Sequence, residues 1–127
     1  MANPNIVGVT AIVGNSLSVA VGTSATQLAS NAASSGKVFK INSIVIANID
    51  GTSAADVTVN IYSAAALGGT GLAIASTISV PADASLIVTD KTTSFYLLEN
   101  QSIGALASAT GDLVATISFE EITGPAP

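Results

Sequence analysis

The chain has 127 residues, a net charge of −5, three Lys, and no His, Cys, Trp or Arg. That is one domain's length of chain, enough to bury a core without metal or disulfide staples. So few cations exclude phosphate-neutralising nucleic-acid binding and adhesion to anionic lipid, and the lack of Cys excludes disulfides and thiolate metal sites.

Hydrophobic residues make up 49 % of the chain but charged ones only 9 %, against roughly a quarter in ordinary soluble domains. Uncharged surface is then hard to avoid, and such surface marks contact with another chain. The composition therefore reads as a subunit rather than a free monomer. The opening residues carry no basic group ahead of an apolar run and do not read as a secretory signal. No apolar run reaches the ~18 residues that span a membrane; Ile41–Ile49, the most apolar region, is broken by Asn42, Ser43 and Asn48. The expectation is a soluble product made in the cytoplasm, with no membrane partner.

Apolar residues alternate with small or polar ones from the start: Ile6, Gly8, Thr10 and Ile12, then Leu17, Val19 and Val21. Two strong strands are predicted at Val38–Ile49 and Ala55–Ser63, where Val57, Val59 and Ile61 alternate with Thr58, Asn60 and Tyr62. Asp50-Gly51 between them predicts a hairpin with a loop over Asp50–Ala54. The Ala-rich piece Ser63–Leu67 is too short for an unaided helix and is at most a turn, and Gly68–Gly71 reads as loop. Ile74, Ile78 and Val80 alternate into a strand ended by Pro81, which cannot donate to a ladder. Glu99-Asn100 predicts a tight turn between Phe95–Leu98 and Ser102–Ala107, and Thr110-Gly111-Asp112 predicts another. The last strand runs Asp112–Glu120, with Leu113, Ala115, Ile117 and Phe119 on one face. About eight to ten short strands in one domain over 1–127 predict an all-β fold, an antiparallel β-sandwich or jelly roll. Residues 1–6 and 123–127 are candidates for arms.

Candidate chemistry is thin. Without His or Cys, a catalytic base would be a carboxylate or one of Lys37, Lys40 and Lys91. Glu120 and Glu121 are adjacent and point to opposite faces of a strand, and the Asp residues mostly sit at turns, where they serve local backbone hydrogen bonds. The reading is a non-enzyme with no catalytic residues. Asp50 and Asp56 flank a loop, a weak calcium signal outweighed by a plain turn, so neither metal nor cofactor is expected. Phe39 and Phe119 fit inward faces. Tyr62 and Tyr96 fit outward ones, either as a glycan-binding face or as amphipathic residues at a sheet edge or subunit contact; the latter is preferred. Lys37 and Lys40 read either as edge guards or as partners for acids on another subunit.

An ordered set of segments carries a resemblance: Ser34–Asn42, Ile46–Gly51, Asp56–Val59 with Ile61-Tyr62, Ile78–Leu86, Leu98–Ile103, Ala105–Ser108, Gly111–Leu113 and Ile117–Ile122. Together, over about residues 34–122, they resemble small β-sandwich virion structural proteins of tailed phages, marine and cyanobacterial ones in particular. The resemblance implies a virion subunit present in many copies, first of all a capsid decoration (cement) protein made in the host cytoplasm. The alternative it leaves is a tail, neck or fibre subunit, including one that binds the host surface. The implied partners are its own copies and the major capsid or tail proteins. The expected interface takes in the termini (Ala2, Asn3, Pro4, Asn5, Ile6, Thr123, Pro125, Pro127), Tyr62, Tyr96, and Leu67 in the uncharged loop Ser63–Gly71.

Overall fold

A computed structural model describes residues 3–125. Nine antiparallel strands form two facing sheets: β1 (Ala11–Val21), β2 (Thr26–Asn31), β3 (Lys37–Asn48), β4 (Ala55–Ala64), β5 (Gly68–Val80), β6 (Ser85–Thr89), β7 (Phe95–Leu97), β8 (Gln101–Ala107) and β9 (Leu113–Thr123). One sheet runs β1-β9-β3-β6, with β7 also paired to β3; the other runs β2-β8-β4-β5. The all-β sandwich expected from the alternation is the fold observed. Inward residues of both sheets close one core, including Leu28, Ile41, Ile44, Ile46, Val57, Val59, Ile103, Leu113 and Ile117. Phe39 and Phe119 stack at 5.1 Å against it.

Period-two burial explains why β3, β4 and β9 sit at the centre: each places a bulky aliphatic inward at nearly every second position. The connection after β3 differs from expectation. Asp50–Ala54 is not a hairpin loop, because β3 and β4 lie in different sheets. Asp50 Oδ1 accepts from the Thr52 N–H (2.8 Å), the Thr52 hydroxyl (2.9 Å) and the Ser53 N–H (3.4 Å). That turns the chain as a hairpin would, but delivers it to the opposite layer. Among the described residues, only β4 and β5 are joined as neighbouring strands of one sheet by a tight turn. There the expected loop Ser63–Gly71 shrinks to Ala65–Leu67, since β4 continues to Ala64 and β5 starts at Gly68.

Lys37 and Lys40 do not guard an edge. They lie in β3, which is paired on both sides, with β9 and with β6 and β7. Lys37 pairs at 3.0 Å with Glu121 of its own chain.

Two buried asparagines bolt the layers together. Asn31 of β2 donates to the Lys37 and Leu97 carbonyls of the facing sheet and accepts from the Ser35 hydroxyl. Asn48 of β3 donates to the Val80 and Ser53 carbonyls and accepts from the Asp50 N–H. Each thus uses both amide hydrogens and its oxygen, as burial demands. No helix of the described residues is long and apolar enough to cross a membrane.

Candidate functional site

The expected interface residues fall into two groups. Asn3–Gly8 fold back against the sandwich. Asn5 caps the short 3-10 turn Ile6–Gly8, its side chain accepting from the Val7 N–H, while its own N–H donates to the Pro125 carbonyl at 2.6 Å. Asn3 Oδ1 accepts from the Glu99 N–H, and Thr10 donates to the Thr123 carbonyl through both N–H and hydroxyl. Pro4 is buried, and Asn3, Pro4, Ile6, Tyr96 and Leu98 form with Val38 an apolar cleft of about 190 Å³. Described residues of both termini therefore meet beside the Glu99-Asn100 turn, where Glu99 Oε2 accepts from the Gly36 N–H at 2.6 Å. Among the described residues, buried Glu99 Oε1 has no hydrogen-bond partner. Ala2 and Pro127 lie outside the described residues.

The second group sits on the other sheet. Tyr62 lies half-buried across Gly71 and Gly104, and lines a cleft of about 240 Å³ with Ile61, Leu72 and Ile74. Leu67 packs on Gly104 beside it, and its N–H donates to the Ser102 hydroxyl at 2.8 Å. Tyr62 and Tyr96 occupy separate clefts on separate sheets, so they make no shared aromatic platform for a sugar.

A third cleft, about 360 Å³, is polar. Lys40, Asn42, Lys91, Ser94 and Glu120 line it, and a register break between Ile41 and Ser43 places Asn42 there as a bulge. It gathers two of the three lysines, with Glu120 offsetting part of their charge. Among the described residues no group of three acidic side chains could hold a metal ion. Asp50 and Asp90 are turn-formers. The Thr52 N–H and hydroxyl hold the Asp50 carboxyl below the usual aspartate range, and the Thr92 hydroxyl and N–H do the same for Asp90.

The largest anomaly was not anticipated from sequence: the edge strands. β1 pairs with β9 through eleven consecutive residues without a register break. No strand of the described residues pairs with its other side. It carries no charge and no Pro. Ile12 is 58 % exposed, Val13 54 % and Leu17 43 %; as neighbours in a strand, Ile12 and Val13 face opposite ways, so both faces of β1 present apolar side chains to solvent. β5, the far edge of the second sheet, is also uncharged and exposed, with Leu72 71 % accessible. Unlike β1, it is broken by three register shifts and a positive φ at Thr77. Edges are normally blunted by charge, Pro, bulges or shortness. β2 and β6 are short and β5 is bulged, whereas β1 has none of these protections.

No protein-family model matches the chain, and no curated protein does either. A solved structure from Bacillus endospore appendages, described as a novel family of disulfide-linked pili, has a similar fold: TM-score 0.52 and 18 % identity, over 89 % of this chain and 88 % of that one. The likeness covers both sheets and establishes the fold.

Proposed function

We propose that this chain is a structural subunit that works in many copies. The observation carrying the reading is the long, uncharged, unprotected edge of β1, in a molecule with few charges anywhere to resist association. Apolar edges and clefts of this kind suit a rigid building block whose contacts need little desolvation of charge. No catalysis, metal or cofactor enters the reading.

The specific form we propose is a virion protein of a tailed phage, a capsid decoration protein bound to capsid and to its own copies; the ordered segments over about residues 34–122 support it. A tail, neck or fibre subunit is the second reading, and the pilus-forming neighbour of similar fold favours it. This chain has no Cys, so a filament of it would be held without disulfides. The host-binding variant loses support, because Tyr62 and Tyr96 share no groove.

Quantitative protein analysis of purified phage particles that encode the chain tests the placement. Hundreds of copies per particle support decoration or a long repeating fibre. A few copies favour a neck or tail-tip position, and absence from the particle overturns the virion placement.

A further inference from the structure

Resting on the multi-copy reading, we infer that the free edge of β1 pairs antiparallel with the β1 edge of a second copy, joining two sandwiches through one continuous sheet. The unpaired N–H and C=O groups along an edge specify a β-strand as occupant. Three features select β1 itself as that strand. Its ladder to β9 is regular for eleven residues, so its free side offers about 37 Å of unbroken edge and about ten main-chain hydrogen bonds, the number an ordinary protein interface carries. It has no charge, so two copies brought together place no like charges opposite each other. The other long edge, β5, is a poor match, because its three register shifts and the positive φ at Thr77 interrupt the row of donors and acceptors.

The contact also covers what the monomer leaves open. Ile12 lies on one face of β1, and Val13 and Leu17 on the other; each would lie beside the second copy's strand. Pairing of β1 with β1 is two-fold symmetric and closes on itself. The joined unit is a dimer, and β5 and the terminal clefts remain for contacts with other partners.

The test combines mass and cross-linking. Light scattering of the purified chain is expected to give twice the 12.4 kDa chain mass. Val13→Lys with Leu17→Lys, both at exposed positions, is expected to weaken association at least tenfold without changing the fold by circular dichroism. Leu72→Lys with Ile74→Lys on β5 is expected to leave the dimer intact. Because the chain has no Cys, Ser16→Cys at the midpoint of β1 is a clean probe that needs no destabilising charge. Full-length self-pairing sets it opposite its counterpart, and mild oxidation is expected to cross-link it.

If the wild-type chain associates but the β1 lysines leave its mass unchanged, the edge pairing is overturned while the multi-copy reading stands. Cross-linking of Ser16→Cys only when mixed with Ala73→Cys overturns self-pairing in favour of an open β1-to-β5 series. A wild-type chain that stays monomeric at every concentration overturns the pairing, and the particle copy number then judges the multi-copy reading separately.

Discussion

Asn48 on β3 donates a hydrogen bond to the Val80 carbonyl on β5 at 2.9 Å, crossing from one sheet to the other. The same amide reaches the Ser53 carbonyl, and its oxygen accepts from the Asp50 N–H. Replacing it with Ala strands three polar groups around a buried site. Asn48→Ala is expected to cost about 3 kcal/mol, read as a lower midpoint in urea unfolding. A cost under about 1 kcal/mol would mean that water replaces the amide there.

The β4–β5 turn stores strain that a single substitution should release. Ala66 and Leu67 both have positive φ, 56° and 61°, and Gly68 N–H closes the turn onto the Ala65 carbonyl. This geometry usually takes Asn-Gly. Here three consecutive amides are held by side-chain oxygens instead: Ala65 by Asn100, Ala66 by Ser30 and Leu67 by Ser102. Ala66→Gly keeps those amides and removes the Cβ penalty, so it is expected to stabilise by roughly 0.5–1 kcal/mol. Thermal unfolding measures it, and a fall in Tm would contradict the strain.

Gly104 is there for close approach. A Cβ at this position would lie 2.7 Å from Leu67 Cδ2 and 3.1 Å from Tyr62 Cε1. Gly104→Ala is expected to destabilise by about 1–3 kcal/mol through overpacking. Adding Leu67→Ala is expected to recover part of that loss, so a double-mutant cycle should be strongly non-additive. Simple additivity would place the two side chains apart.

Asp50 and Asp90 predict how acid acts on stability. Both have folded-state pKa values below their unfolded ones, owing to donors from Thr52 and Thr92. A depressed carboxylate pKa contributes stability that is present above the unfolded value, near 4, and lost as pH falls through the folded one. Tm is therefore expected to fall on acidification from about pH 5 to pH 2. Asn at both positions keeps an acceptor oxygen but cannot titrate, so the double variant should show a shallower fall over that window. An unchanged slope would assign the acid response to other carboxylates.

Much of the sandwich was legible because β3, β4 and β9 alternate bulky aliphatics with small polar residues, a pattern only a half-buried strand satisfies. The Asp50–Ala54 connection was not. Asp-Gly turn chemistry is local and identical whether the next strand pairs alongside or crosses to the facing sheet, and pairing is decided by distant strands. Gly71 read as loop for a similar reason: glycine marks turns in a sequence, whereas here it sits in β5 because a Cβ would come 2.8 Å from the ring of Tyr62. The terminal group of the expected interface rests on uncharged, Pro-containing ends, and a sequence pattern cannot show that Asn3–Gly8 lie against their own sandwich. The β1 edge is not legible in the sequence, since Leu17, Val19 and Val21 alternate as a buried strand would. Only the topology shows that no strand of the described residues pairs with its far side.

Molecular mass in solution bears most directly on the central claim. Light scattering over a concentration series, from well below to well above micromolar, should show the wild-type chain as a multiple of 12.4 kDa at the upper concentrations. A mass of one chain throughout, together with absence from purified particles, would contradict a structural subunit that works in many copies.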